Sequence, residues 1–293
     1  MEEKILFVVN PAAGGRDKTL FWTCLEQALA VRPFDYISFV TTGENDTQQL
    51  RHLLTTHPFT RVIVVGGDGT VKLVAEQLVH HPTALGIIPM GSANGLAREL
   101  GIPVHPRDAL RVALGLSTIQ IDTIHIENHG LCIHLSDLGL NASLVAYYHS
   151  NRLRGMWGYG RVFLRTLLQR RRFRVNLYGE HLHLNRKVYM LMLANARMYG
   201  TGALINPTGS LRDGLFEVVM IKDFRWWDLP RLFLAHRKVH EEREEVVSVK
   251  SIHISSSRAV HFQIDGEYKG KISQIKANII PQGLRVLVQG PDH

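Results

Sequence analysis

The strongest constraint on the fold is an apolar run that stops abruptly at a cluster of glycines. Residues 62–65 are all Val or Ile, and the sequence GGDGT follows at residues 66–70 before a helical pattern begins. An uninterrupted apolar run is typical of a strand that is buried on both faces, as strands in parallel sheets are. The segment therefore predicts a buried strand, a Gly-rich turn at its carboxyl end, and a helix.

The same alternation of strands and helices runs through the first third of the chain. Strands are predicted at residues 5–9, 36–40, 62–65 and 85–88, with amphipathic helices between them. Asp46 and Thr70 are predicted to cap the second and third helices, and Pro106 is predicted to start a further helix. This order predicts an α/β domain over residues 1–118, with a parallel sheet and helices on both faces.

The chain changes character after residue 118. Apolar and polar residues alternate in segments such as TIQIDTIHIE, FRVNLYG and VHFQIDGEY, and helical interruptions are predicted at residues 158–169 and 227–240. Alternation with a period of two is typical of strands that bury one face. Residues 119–293 are therefore predicted to form a second, β-rich domain, an antiparallel sheet or sandwich.

Composition narrows the class of protein. The chain has 293 residues, of which 45% are hydrophobic and 20% charged, a formal net charge of +8 and two cysteines far apart in sequence. These values fit a globular protein in a reducing compartment. No signal-peptide pattern and no apolar run of membrane-spanning length is present, so a cytoplasmic protein is expected. The basic charge suits a phosphorylated small molecule, an anionic membrane or nucleic acid.

Three Gly-rich loops follow strands of the predicted parallel sheet. They read NPAAGG after the first strand, GGDGT after the third and PMGSANG after the fourth. Ligands of such sheets bind beyond the carboxyl ends of the strands, so the loops are expected to meet at one phosphate site. Ser92 and Asn94 can hydrogen-bond phosphate or ribose. An acid in the same place, Asp68, indicates an intervening metal ion or hydroxyl, and hence phosphoryl-transfer chemistry on a nucleotide.

These motifs resemble the diacylglycerol kinase family, which includes sphingosine kinases and bacterial lipid kinases. The resemblance rests on NPAAGG, VVGGDGT and GIIPMGSANGLAREL in the first half, and on RGMWGYG, YGTGALINPTGSLRDGLFEVVMI and QIDGEY in the second. It implies an N-terminal α/β nucleotide-binding kinase domain, a C-terminal lipid-binding β-sandwich, and ATP-dependent phosphorylation of a lipid hydroxyl in phospholipid metabolism.

The resemblance also implies roles for individual residues. Glu267 is implied as the catalytic base, with Asp68 positioning the metal or the hydroxyl. Asp213, with backbone oxygens of Ser210 and Leu215, is implied to bind Mg²⁺. The nucleotide-binding set is Asn10, one of Thr41 and Thr42, Gly66, Gly67, Asp68, Gly69, Thr70, Val71, Lys72, Gly91, Ser92 and Asn94.

One departure from the family pattern stands in the nucleotide loop. Lys72 and Leu73 replace the Asn-Glu pair that usually follows the threonine and one apolar residue. A lysine near the start of a helix is a candidate for a phosphate contact, and equally for altered nucleotide handling.

A lipid substrate requires contact with a membrane that the chain is not expected to span. The segment FRWWDLPRLFLAHRKVH combines two tryptophans, basic residues and an apolar stripe. Such a segment suits peripheral docking on the anionic inner face of a membrane. The alternative is a core-packed helix with a solvated basic face.

Two other functions are compatible with the same loops. A NAD kinase would share GGDG and act on a soluble dinucleotide, and a nucleotide-binding regulator would bind ATP without transferring phosphate. Nucleic-acid binding has no stacking motif to support it. The sequence leaves the lipid unidentified, and a homodimer is compatible with it.

Overall fold

The computed structural model describes residues 4–15, 17–139, 142–143, 171–197, 206, 209–223 and 243–290. The chain divides into two compact units, one containing residues 122–281 and the other containing the residues before and after that range. The sequence analysis instead assigns all residues from 119 onward to the second domain. The difference arises because the chain returns to the first unit at its end, where Val286 pairs with Leu85.

The first unit is an α/β structure. Its elements are β1 (Lys4–Val9), a 3₁₀ turn (Ala13–Gly15), α1 (Thr19–Val31), β2 (Asp35–Val40), α2 (Asp46–Thr56), β3 (Arg61–Gly66), α3 (Asp68–Leu78), β4 (Ala84–Pro89), α4 (Gly95–Glu99) and α5 (Pro106–Ala113). The strands are parallel in the order β4-β3-β1-β2. Every residue of β3 and β4 is buried, so both faces of the sheet are covered there, because successive side chains point to opposite faces. The predicted α/β fold is confirmed.

Two predicted helix caps are wrong. α2 begins at Asp46, with Asn45 in the N-cap position, and α3 begins at Asp68, which puts Thr70 inside the first turn. Asp46 accepts the backbone N–H of Thr42 (2.9 Å). Oγ1 of Thr70 accepts Nδ2 of Asn10, in the loop after β1 (3.0 Å). Both side chains therefore hold neighbouring loops instead of capping a helix, a choice that local sequence does not reveal.

The second unit is built from antiparallel strands. Its strands are β5 (Thr118–Ile126), β6 (Gly130–Cys132), β7 (Leu135–Gly139), β8 (Phe173–Tyr178), β9 (His183–Val188), β10 (Met190–Ala194), β11 (Phe216–Ile221), β12 (Glu244–Val249), β13 (Ser251–Ile264) and β14 (Glu267–Leu287), of which β5 begins and β14 ends in the first unit. β13 pairs with β8 through its first half and with β7 through its second half. Phe173, Phe216 and Phe262 lie in one buried apolar cluster. The predicted β-sandwich is confirmed.

Parts of the second unit differ from the sequence analysis. β9 was not predicted, and β14 was predicted only at its two ends. Both segments are rich in exposed polar residues, which weakens the alternating pattern. The helices predicted at residues 158–169 and 227–240 lie outside the described residues. In the described part of the chain, no helix has the length and apolar character needed to cross a bilayer.

An ion pair links two strands of the sandwich. Arg186 on β9 donates from Nε and Nη2 to the two oxygens of Glu245 on β12 (2.7 and 2.8 Å), and Lys222 Nζ lies 3.4 Å from the same carboxylate. The hydrogen bonds from Arg186 are the main cause that lowers the pKa of Glu245. Because the pKa of Glu245 is lower in the folded protein than in the unfolded chain, ionised Glu245 stabilises the fold at pH values above the unfolded pKa, about 4.3 for Glu. This stabilisation is lost as the pH falls through the folded pKa.

We therefore expect Glu245→Gln to destabilise the protein at neutral pH and to have much less effect in acid. Both side chains are partly exposed, 34% for Arg186 and 23% for Glu245, so we expect a loss of about 1 kcal/mol. Thermal unfolding at neutral pH and at about pH 3.5, below the ordinary pKa of Glu, measures the difference. Glu180→Gln, in the exposed turn after β8, is the control. The same loss at both pH values would show that the ion pair is not the cause.

Candidate active site

Two of the three Gly-rich loops lie backbone against backbone beyond β3 and β4. A Cβ added to Gly91 would lie 2.6 Å from Cα of Gly67, and one added to Gly67 would lie 3.0 Å from Cα of Gly91. The N–H of Met90 donates to the carbonyl oxygen of Gly66 (2.8 Å). The close approach therefore depends on glycine at both positions, and it brings the backbones of the two loops to one place.

The first loop joins the same cluster. Gly14 has a φ of 64°, and a Cβ on it would lie 2.2 Å from the carbonyl oxygen of Met90. The N–H of Asn10 donates to the carbonyl oxygen of Val65 (3.0 Å), and its Nδ2 donates to Oγ1 of Thr70 (3.0 Å). Asn10 and Gly14 therefore fix the loop after β1 against the loops after β3 and β4.

Asp68 is hydrogen-bonded across this cluster. Its Oδ1 accepts the backbone N–H of Gly95, the first residue of α4 (2.7 Å). An acid within a Gly-rich anion site thus has a structural task, because it holds the third loop to the second. This task accompanies the metal-positioning role that the resemblance implies for Asp68.

The first turn of α3 presents an open backbone surface at Gly69. The N–H groups of Thr70 and Val71 both donate to the carbonyl oxygen of Gly67 (3.0 Å each) and close the turn. Gly69 is exposed, and beyond its own turn of helix a Cβ on it would meet no heavy atom of the described residues within 4 Å. The N-terminus of a helix carries partial positive charge and N–H groups without intrahelical partners. A phosphate could approach the helix here with no side chain in the way.

Ser92 and Asn94 differ in what they can offer a ligand. Asn94 is 6% exposed, and its Oδ1 accepts the N–H of Gly91 (2.8 Å) while its Nδ2 donates to the carbonyl oxygen of Gly91 (2.9 Å). Its side chain therefore shapes its own turn. Ser92 is exposed. The geometry favours Ser92 over Asn94 as a hydrogen-bond donor to phosphate or ribose.

The structure distinguishes Thr41 from Thr42. Thr41 is 9% exposed, and its N–H donates to the carbonyl oxygen of Val9 (2.9 Å), at the end of β1. Oγ1 of Thr42 lies within hydrogen-bond distance of the carbonyl oxygen of Glu44 (3.1 Å) and of Oδ1 of Asp46 (3.2 Å), so it is used within its own loop. Oγ1 of Thr41 in turn lies 3.5 Å from the carbonyl oxygen of Val9, so only its place beside the end of β1, next to Asn10, favours it over Thr42 for a nucleotide contact.

Lys72 and Val71 are interior residues of α3. Each side chain is 3% exposed. Both side chains therefore pack against the rest of the protein and are not open to a ligand at the first turn of the helix. The direct phosphate contact considered for Lys72 is therefore not favoured by its burial.

The DGE segment forms a tight hairpin turn between β13 and β14. Asp265 and Gly266 both have positive φ (50° and 85°), as a two-residue type I′ turn requires. The carboxylate of Asp265 accepts three backbone N–H groups at 3.0–3.1 Å, those of Ile133, His134 and Leu135. The next residue, Glu267, has a side chain that is 45% exposed, with Oε2 located 2.9 Å from Nζ of Lys269. The turn thus presents Glu267 from a fixed backbone.

The loop at residues 209–215 offers oxygen ligands to a hard cation. Asp213 is exposed, and its Oδ1 accepts the N–H of Leu215 (3.0 Å). The buried Oδ1 of Asn206, close to this loop, has no hydrogen-bond partner among the described residues. Among the described residues, no cluster of three His, Cys, Asp or Glu could hold a metal, so backbone oxygens such as those of Ser210 and Leu215 would have to take part. One carboxylate with neutral oxygens fits Mg²⁺ or Ca²⁺.

Two buried acids beside this loop were missed from the sequence. Asp122 is 1% exposed, and its Oδ2 accepts the N–H of Gly214 (2.7 Å). Glu217 is 3% exposed and accepts hydrogen bonds from Asn206 Nδ2 and Ser248 Oγ, and burial raises its pKa. Each is an acidic residue in a strand that is otherwise rich in apolar residues, and this pattern in the sequence could have identified it. Asp122 thus fixes the loop directly, and Glu217 holds Asn206, whose carbonyl oxygen accepts the N–H of Gly209 (3.3 Å).

Two family models cover most of the chain. Residues 4–126 match the diacylglycerol kinase catalytic domain, and residues 138–288, just over half of the chain, match the YegS C-terminal NAD kinase beta sandwich-like domain. The chain belongs to the diacylglycerol kinase family of lipid kinases. The resemblance found in the sequence is confirmed, and this lipid kinase is an enzyme that uses ATP. Membership favours a lipid over NAD as the acceptor, and catalysis over a purely regulatory role.

Relatives extend over nearly the full length of this lipid kinase. A diacylglycerol kinase of Staphylococcus carnosus is 26% identical over 96% of this chain and 92% of its own. A protein of Escherichia fergusonii named "Probable lipid kinase YegS" is 27% identical over 76% of both chains. The crystal structure of a diacylglycerol kinase from Bacillus anthracis superimposes with a TM-score of 0.77 at 19% identity, over 98% of this chain and 97% of that one. The last likeness is one of fold.

Proposed function

We propose that this lipid kinase transfers the γ-phosphoryl group of ATP to the hydroxyl of a diacylglycerol-like or sphingoid lipid. The observation that carries the proposal is the backbone contact of Gly67 with Gly91, which joins Gly-rich loops into one anion site at the edge of a parallel sheet. The names of the relatives support an acylglycerol as the acceptor. The chemistry is the same for any lipid alcohol, so the identity of the lipid has to be measured.

The triphosphate is bound at the open turn that begins α3. The N–H groups at residues 67–69 and the partial positive charge of the helix N-terminus favour the phosphates. Oγ of Ser92, in the loop after β4, donates a hydrogen bond to phosphate or ribose, and Thr41 lies at the edge where β1 and β2 end. The backbones of Gly66, Gly91 and Thr70 shape the site.

Glu267 acts as the base. A lipid hydroxyl is a poor nucleophile, so its proton must be accepted as its oxygen bonds to the γ-phosphorus. The bond between that phosphorus and the β,γ-bridging oxygen breaks, ADP leaves, and the proton resides on Glu267. The half-exposed carboxylate, on a turn whose backbone is fixed by Asp265, supports this role.

Mg²⁺ fits the acids of both units. When bound with ATP, it neutralises charge that develops on the phosphates. Asp68 would hold the ion that accompanies the nucleotide. Asp213 and the backbone oxygens of Ser210 and Leu215 would hold a second, structural ion in the loop that Asp122 fixes.

We expect Asp213→Asn to remove the stabilisation that Mg²⁺ gives the protein. At about ten times its Kd, an ion that binds only the folded state stabilises it by about 1.4 kcal/mol, and each kcal/mol raises Tm by about 2–4 °C at this size. Thermal unfolding with and without Mg²⁺, in the absence of nucleotide, measures this. Asp35→Asn, at the exposed start of β2, is the control. If the Asp213 variant gains as much Tm from Mg²⁺ as the wild type, the ion binds elsewhere.

The proposed activity is tested with ATP labelled in the γ-phosphate. The acceptors are diacylglycerol, monoacylglycerol, sphingosine, ceramide and phosphatidylglycerol in vesicles, with NAD in a separate reaction. We expect the label in a lipid. Label in NAD would support the NAD kinase alternative, and ATP binding without transfer to any acceptor would support a regulator.

We also propose that the enzyme reaches its substrate by peripheral contact with an anionic membrane surface. Its net charge of +8 supports this. The basic segment with two tryptophans, residues 224–240, lies outside the described residues. In the labelled-ATP assay, anionic phospholipid should increase the rate at low salt and lose its effect at high salt. Equal rates on neutral and anionic vesicles would count against the contact.

A further inference from the structure

The hairpin fixes the backbone at Glu267 more firmly than it fixes the carboxylate. Asp265 accepts three backbone N–H groups, and the N–H of Gly266 donates to Oε1 of Gln263 (2.7 Å). Glu267 itself is 45% exposed and has three rotatable side-chain bonds. A base must be held within about 0.5 Å of its productive position by its neighbours. The turn fixes only the backbone, so it does not hold the carboxylate of a side chain of this length to that precision.

Lys269 is placed to hold the carboxylate of Glu267 in position. Its Nζ lies 2.9 Å from Oε2 of Glu267, and its side chain is 31% exposed, although the residue as a whole is exposed. The two residues are two positions apart on β14, which puts their side chains on the same face of the strand. A partly covered lysine side chain loses less conformational freedom when it forms an ion pair than a fully exposed one does. The pair is therefore suited to hold a carboxylate oxygen in place.

The neighbourhood of Lys269 supports the same assignment. Burial first, and then the charge of Lys269, lower the pKa of His129, which packs edge-to-face against Phe262 with ring centroids 5.1 Å apart. His129 is therefore neutral at neutral pH, and of the two neighbours His129 and Lys269 it is Lys269 that carries the positive charge. The next lysine along β14, Lys271, lies opposite His261 in the register of the hairpin. Burial first, and then the charge of Lys271, lower the pKa of His261, so the two lysines have similar histidine neighbours and differ in that Lys269 contacts Glu267.

We propose that Lys269 is a positioning residue for phosphoryl transfer, whose ammonium holds the carboxylate of Glu267 in the position from which it accepts the proton of the lipid hydroxyl. The inference rests on the proposed role of Glu267 as the base. Lys269 acts through Glu267 and is assigned no contact with ATP. Its loss should therefore lower kcat and leave the KM for ATP unchanged.

Three single variants test the role of Lys269. We expect Lys269→Met to lower kcat by about tenfold or more, as a base displaced by a fraction of an ångström would. Lys269→Arg keeps the ion pair and should retain kcat within about threefold, and the matched control Lys271→Met should stay within about twofold. The KM for ATP should be unchanged in all three. A wild-type kcat in Lys269→Met, or an equal loss in the Arg and Met variants, would overturn the inference.

A double variant separates this inference from the proposed function. If Lys269 acts through Glu267, then Lys269→Met should cause no further loss in a Glu267→Gln background, so the two effects are not additive. A further loss of about tenfold in the double variant would show that Lys269 acts independently of Glu267. Wild-type turnover in Glu267→Gln alone would instead remove the proposed base. An inactive Glu267→Gln with a fully active Lys269→Met would leave the proposed function standing and overturn only the role of Lys269.

Discussion

Glu267→Gln is expected to lower the rate of lipid phosphorylation by about 10²–10⁴-fold, the usual contribution of a positioned base. The amide has nearly the same shape as the carboxylate, but it cannot accept the proton of the hydroxyl. ATP binding should stay close to that of the wild type, because Glu267 is assigned to the acceptor and not to the nucleotide. Steady-state rates with a saturating lipid, together with calorimetric titration of ATP, separate the two effects.

A matched control for this substitution is Glu127→Gln. Glu127 is a half-exposed acid in the same unit, with a carboxylate 3.5 Å from Nζ of Lys276. Its replacement removes one surface charge of the same sign and should leave the rate near that of the wild type. If Glu267→Gln turned over as fast as the Glu127 variant, another group would have to be the base.

Gly69→Ala is expected to weaken ATP binding by about tenfold or more without loss of stability. Outside its own turn of helix, a Cβ at this position meets no atom within 4 Å in the part of the chain that the structure describes, so the fold can accept it. The methyl group would occupy the space through which a phosphate reaches the N-terminus of α3. Calorimetric titration with ATP and thermal unfolding measure the two quantities.

Gly91→Ala provides the contrast. Its Cβ would lie 2.6 Å from Cα of Gly67 and 2.8 Å from Oδ1 of Asn94, so the loops would have to move apart. We expect a loss of stability of about 1–3 kcal/mol together with the loss of ATP binding. If Gly69→Ala left ATP affinity unchanged while Gly91→Ala abolished it, the loops would be needed for folding only, and phosphate would not approach at Gly69.

The sequence was sufficient for the arrangement of the first unit. Apolar runs that end in Gly-rich turns predicted three of its four parallel strands, β1, β3 and β4, because burial on both faces leaves a signal in nearly every residue of a strand, whereas β2 is mostly exposed. The predicted cap at Asp46 was wrong, because its carboxylate bonds to a loop that precedes the helix, and local sequence does not reveal that choice. Most of β14 was missed because its exposed lysines and glycine hide a strand whose pairing is set by distant residues.

The sequence also predicted part of the candidate site. The loops that meet at the sheet edge were found from their glycines, whereas the side chains that work within the cluster were not distinguished from those that face a ligand. Asn94 illustrates this, because its two hydrogen bonds to Gly91 follow from a left-handed φ of 52° that the sequence does not specify. The ion pair of Lys269 with Glu267 depends on rotamers, which no motif encodes.

A crystal structure of the protein with Mg²⁺ and a non-hydrolysable ATP analogue is the most direct test of the triphosphate site. Phosphate oxygens should lie about 2.7–3.2 Å from backbone nitrogens of residues 67–69. The adenosine should extend toward the ends of β1 and β2, with Thr41 nearby. A triphosphate bound elsewhere, with the turn at Gly69 still open to solvent, would contradict the assignment of these loops as the nucleotide site.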